Sequence, residues 1–165
     1  MRLKSYLAVP CLLLCAGVAH AQVKASGTLK CGKPDVQHKI DVGPNHMLVI
    51  DQSKCSADKD KPFAINGVKS ASAVSTNSTD VQGNKSSYRG YYLDTMENGD
   101  KGEYSFYGTA IMKDGAIETA DDHWTLVRGT GKLKGAKGKG TCKGTGAADG
   151  SITWECQGQY TLAHK

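Results

Sequence analysis

Strand-length alternation, Asn-Gly and Asp-Gly pairs at short intervals, and the absence of any segment with a convincing helical period predict an all-β protein. About eight strands at short intervals point to an antiparallel barrel or sandwich, carrying two disulfides. The 165-residue chain holds 20 glycines, which suits a barrel whose strands bend sharply.

The elements follow in order. Val36, His38, Ile40 and Val42 alternate with Asp35, Gln37, Lys39 and Asp41, the period of a half-buried strand. Residues 47–51 make a second. Residues 70–84 are rich in Ser, Thr, Asn and Ala with little apolar content, so a weak strand or a long loop is expected. Residues 87–95 and 103–112 are rich in Tyr, Phe, Thr and Ile, and Asn98-Gly99 between them marks a hairpin. Asp114-Gly115 marks the next turn, before 116–119. In 123–128, Trp124 and Leu126 share one face, Thr125 and Val127 the other. Two last strands, 139–146 and 151–162, are joined through Ala148-Asp149-Gly150.

Arg2 and Lys4 precede an apolar run that ends at Ala19-His20-Ala21, the layout of a secretory signal peptide cut after Ala21. The run falls short of the ~20 residues that cross a bilayer. Lipid attachment at Cys15 is disfavoured because Leu14, just before it, is not small. The expected domains are therefore a signal peptide, 1–21, and a secreted or periplasmic β-barrel, 22–165, with no membrane span. Cleavage removes two basic residues and no acidic one, so the formal net charge falls from +5 to +3. That is too mild an excess to suggest a nucleic-acid partner.

Cys11 and Cys15 leave with the signal, and Cys31, Cys55, Cys142 and Cys156 remain. An even number in an oxidising compartment reads as two disulfides. A three-residue loop at 148–150 with glycine in the left-handed position pairs 147 with 151 and sets Cys142 opposite Cys156. Cys31 with Cys55 follows by elimination. No pair has the close spacing of a zinc knuckle, so no metal and no cofactor is expected.

Segment 129–146, GTGKLKGAKGKGTCKGTG, tempts a phosphate-cradle reading. It lacks the terminal GK[ST] of a P-loop and the G-x-G-x-x-G spacing, and no helix follows it. Lys132, Lys134, Lys137, Lys139 and Lys143 fit a solvated strand face, with an anionic envelope polymer as the partner such a face would take. The GTGKLKGAKG run at 129–138, followed by a glycine-rich strand and a closing hairpin, resembles the allene oxide cyclase and dirigent barrel superfamily. It is similar, more closely, to small secreted bacterial proteins with this barrel signature. The resemblance covers mainly 87–162. It implies an eight-stranded antiparallel barrel with a central apolar cavity, in a family whose plant members guide cyclisation or radical coupling of apolar substrates. None of their catalytic residues can be placed on this chain.

Candidate chemistry is sparse. His38 shares a face with Val36, Ile40 and Val42 and would point into a barrel, where a core histidine satisfied by one hydrogen bond is the commoner outcome. A two-residue turn at Asn98-Gly99 would set Asp94 opposite Glu103. Buried, the pair would raise one pKa and create a general acid; exposed, it is a small penalty near a hairpin end. Tyr88, Tyr92, Tyr107 and Tyr160 could present hydroxyls to a ligand or simply pack. His46, His123 and His164, with Met47, lack a tight metal-ligand spacing.

Two functions survive: a non-catalytic barrel binding a small apolar ligand or envelope component, and a cyclase or isomerase that confines its substrate. A filled interior favours a structural or surface-binding role. An open pocket of ~300 Å³ or more with convergent polar groups revives the enzyme.

Overall fold

A computed structural model describes residues 22–162. The signal-peptide expectation lies outside these residues, as do His164 and the N-terminal Cys11 and Cys15.

Ten strands run in sequence: β1 (Gln22–Cys31), β2 (Val36–Gly43), β3 (His46–Ala57), β4 (Ala64–Ile65), β5 (Val68–Gln82), β6 (Lys85–Met96), β7 (Lys101–Lys113), β8 (Ala116–Gly129), β9 (Lys137–Gly146) and β10 (Ile152–Thr161). A single 3-10 turn, Gly131–Leu133, separates β8 from β9. Eight strands close into a ring, in the order β1, β10, β9, β8, β7, β6, β5, β3 and back to β1, every pairing antiparallel. The all-β, eight-stranded expectation holds.

The ring is unevenly sewn. β1 and β10 share ten residue pairs, whereas β1 and β3 share three, Leu29 with Ala57, Lys30 with Ser56 and Cys31 with Cys55. Beyond that short seam β3 takes β2 as its neighbour instead, and β2 pairs with no other strand among the described residues. The Cys31–Cys55 disulfide sits in the seam, and Cys142–Cys156 bridges β9 and β10 in the register expected for a 148–150 loop. Gly150, at φ +83°, supplies the left-handed residue.

Of three expectations, one is resolved and two need correction. Of the two alternatives for residues 70–84 the strand holds: they lie almost wholly in β5, at fifteen residues the longest strand described, because β3 and β6 hydrogen-bond it on both edges. Pairing from two sides outweighs a weak apolar pattern. The Asn98-Gly99 turn is a three-residue loop, Glu97 to Gly99, with only Gly99 left-handed, so Leu93 faces Glu103 and Asp94 faces Gly102. The third is β2. Gln37, Lys39 and Asp41 turn toward the barrel interior while Val36, Ile40 and Val42 lie half exposed outside with His38.

The four hairpin turns at 43–46, 82–85, 113–116 and 146–152 contribute residues to one end of the barrel. The opposite end is plugged by Phe63, Ile65, Met96, Leu133 and Tyr160, all buried in one apolar cluster. The glycine run finds its explanation in this core. A methyl at Gly138 would overlap the Tyr160 ring, at Gly140 the Trp124 ring, and at Gly144 the Trp154 ring. The bare inner face of β9 seats three large aromatics, and its lysines 137, 139 and 143 face solvent. Lys132 and Lys134 belong to the 3-10 turn and its cap rather than to a strand face.

Candidate functional site

Between plug and mouth lies a cavity of about 1320 Å³. Packing the aromatics against the wall, with Tyr88, Phe106, Trp124, Trp154 and Tyr160 each over a glycine of a neighbouring strand, leaves the centre unfilled. Trp124 stacks on Tyr160 with ring centroids 5.4 Å apart and meets Tyr104 and Phe63 edge-on. Tyr92 packs against Tyr104, and Tyr88 against Phe106 and Trp154. The Tyr160 hydroxyl donates to that of Tyr104 at 3.2 Å and joins floor to wall.

Polar groups interrupt this apolar surface at a few points. Asp94 has no exposed surface; Ser70 Oγ donates to its Oδ1 at 2.6 Å, and its Oδ2 has no partner. Asp122 is buried likewise, with Oδ1 unpartnered. Trp124 Nε1 and the Tyr92 hydroxyl also lack partners. A buried polar atom left unpaired costs about 1–3 kcal/mol, so four around one cavity are a concentrated expense. Nearer the mouth, Asn77 Nδ2 donates to Asp51 Oδ2 at 3.1 Å.

Burial sets the acid–base character of these groups. Loss of solvent pushes the Asp94 carboxyl up to about 6, against the opposing bond from Ser70. It pushes Asp122 to about 7, opposed by the Cys142 amide, and Asp51 to about 6, opposed by Asn77. The same desolvation, with Asp122 next in weight, raises the Tyr88 phenol far above its ordinary value.

The residues singled out in the sequence scatter. Asp94, Tyr88 and Tyr92 line the cavity. His38 is on the outer face of β2. Glu103 is outside as well, where Arg128 Nε donates to its Oε2, so the carboxylate pair with Asp94 does not exist. Tyr107 is 63% exposed and stacks on His123 on the outer wall. His46 bonds to Asp80, and no cluster of three metal-ligating side chains occurs among the described residues.

Sequence reading passed over Asp122, Asp51, Trp154 and Phe63. For Asp122 the signal was present: it precedes Trp124 and Leu126 by strand parity and belongs on their face. Asp51 has the same relation to Val49 and Ser53. Phe63 comes from the irregular stretch between β3 and β4, where no periodicity points inward.

No family model and no curated protein matches the chain. Among solved structures it is similar to one described as the structure of the pterocarpan synthase dirigent protein PsPTS1, at 12% identity over 88% of this chain and 96% of that one, with a TM-score of 0.45.

Proposed function

We propose that the chain is exported, cut after Ala21, and serves as a binding barrel that holds one small ligand with a largely apolar body. The observation that carries this reading is the aromatic cavity of about 1320 Å³ with unpaired buried polar groups on its wall. Ligand sites commonly occupy about 300–1,000 Å³ and combine an apolar lining with a few placed polar atoms. An anionic polymer on the outer wall has less support. Lys143 stands between Asp121 of β8 and Glu155 of β10, which offset its charge.

A confining cyclase or isomerase is the second reading, favoured by the open cavity and by carboxyls poised near neutrality. His38 and Glu103 take no part in it, since both lie outside the barrel; Asp94 and Asp122 are the acids it would use. A native mass spectrum of protein isolated from the exported fraction of its own host tests the first reading. The expected mass begins at Gln22, carries two disulfides and includes a retained small molecule. Absence of the protein from that fraction sinks export, a start at Met1 sinks the cut after Ala21, and a bare mass that stays bare after incubation with a lipid and metabolite panel sinks the binding role.

A further inference from the structure

The charge inside the barrel runs against the charge of the molecule. The chain is net basic, yet the cavity and its mouth are lined by five aspartates, Asp41, Asp51, Asp94, Asp114 and Asp122, by one lysine, Lys39, and by His46, which bonds to Asp80. Such a lined, low-dielectric recess concentrates counter-charge. The aspartates are spread from rim to floor. Asp114 and Asp41 sit at the rim, Asp51 below them, and Asp122 and Asp94 are buried among aromatic rings.

Among the described residues the two deepest carboxylates have no cationic partner. Facing Asp94 are the Ser70 hydroxyl of β5, Tyr92 of its own strand, Tyr104 of β7 and Tyr160 of β10. Facing Asp122 are Tyr88 of β6 and the Cys142 amide of β9, with Asp121 beside it on its own strand turned outward. Asp51 meets Asn77 of β5, with Lys39 and Asp41 of β2 at the same mouth. Among the described residues, Asp94 Oδ2 and Asp122 Oδ1 are acceptors with nothing donating to them. Trp124, Trp154, Tyr88 and Phe106 line the same cavity. Unpaired carboxylates in a cavity lined by aromatic rings suit a cation: a carboxylate takes charge-assisted hydrogen bonds and ring faces attract positive charge.

Resting on the reading that this cavity binds a ligand, we propose that the ligand is an organic cation, a ring-bearing apolar body carrying an ammonium group that docks on Asp122, while Asp94, which has no exposed surface, contributes negative charge without touching it. A wholly apolar ligand would leave all four polar atoms unpaired, and an anion would meet two buried carboxyls. A cation answers the electrostatics of the site.

The exported, disulfide-bonded protein is titrated with dansylcadaverine, whose chain ends in an ammonium, and with the two analogues ending in a hydroxyl and a carboxylate. Dansyl emission reports entry into the apolar cavity. At pH 8 the amine is expected to bind about tenfold tighter than the hydroxyl analogue, with the carboxylate weakest. At pH 5, with the aspartates protonated, that preference shrinks. Near pH 6.5 amine binding expels protons from the carboxyls, so its heat depends on the ionisation enthalpy of the buffer; the hydroxyl analogue shows no such dependence. Asp94→Asn with Asp122→Asn abolishes the preference for amine while the hydroxyl analogue still binds. Should that variant fail to fold, the pH profile and proton release of the unaltered protein decide alone. Equal binding of amine and alcohol, or tightest binding of the carboxylate, overturns the cation and leaves the binding barrel standing. Binding of none of the three overturns both.

Discussion

Asp94 is an aspartate with no exposed surface and one carboxylate oxygen without a partner, which fixes how it responds to pH. Its folded-state value of about 6, like that of Asp51, and the value of about 7 at Asp122 all lie above the ordinary 3.8. The folded chain therefore binds more protons than the unfolded chain between about pH 4 and pH 7. The stability contributed by the protonated carboxyls is fully present below about pH 4 and is lost as pH rises through 6 to 7. The melting temperature should fall between pH 5 and pH 8, and Asp94→Asn should melt higher than the parent at pH 8 and flatten the profile. A melting curve that rises over that interval would show these carboxyls to be solvated or ion-paired. Glu103 makes the contrast: its bond to a largely exposed Arg128 is an ordinary surface pair worth about 0–1 kcal/mol.

Among the elements, β9 is the one whose sequence looked most like a functional motif and whose role is architectural. Its inward glycines occupy the space that rings from β8 and β10 need. Gly140→Ala places a methyl against both the Trp124 ring and the Gln157 carbonyl, and the backbone atom cannot swing aside. Overpacking of this kind costs about 1–3 kcal/mol. Urea denaturation should show that loss with Trp124 fluorescence altered, whereas Lys139→Ala on the same strand's outer face should leave both within error. β2 teaches the complementary point. Its alternation is real, but an edge strand at the mouth of a hollow barrel meets no core on its inner side, so the polar set lines the opening and the apolar set faces out.

For the whole molecule, closure runs through the β1–β3 seam and the short β4, which pairs with β1 at Ser26–Ala64 and with β5 at Ala64–Lys69 and Ile65–Val68. The seam is the weaker of two ladders that carry a disulfide. Three residue pairs and one disulfide hold it, against ten pairs at the β9–β10 ladder, which carries the other disulfide. By loop-closure entropy either bridge stabilises by roughly 3 kcal/mol, so their removal should cost about the same globally. The local consequences should differ. Hydrogen exchange of Cys31→Ala/Cys55→Ala protein should show lost protection at 29–31 and 55–57. Cys142→Ala/Cys156→Ala protein should keep protection along β9 and β10. Equal protection at the seam in both variants would mean that barrel closure does not need the bridge.

The sequence by itself determined what is local: strand period, turn sites, the β9–β10 register with its disulfide, and the all-β class. Turn chemistry acts over three or four residues, and a glycine in a left-handed position sets the register wherever the loop length is read correctly. The 148–150 loop was read so; the 97–99 loop, taken one residue short, misplaced Glu103 against Asp94. Only the tertiary structure decided which face of each strand looks inward, because period two labels two faces and names neither as core. It alone showed that the interior is hollow, that Asp122 and Asp94 lie within it, and that His38 does not. Those facts depend on ring closure and on how large rings pack over bare strands, which no single strand encodes.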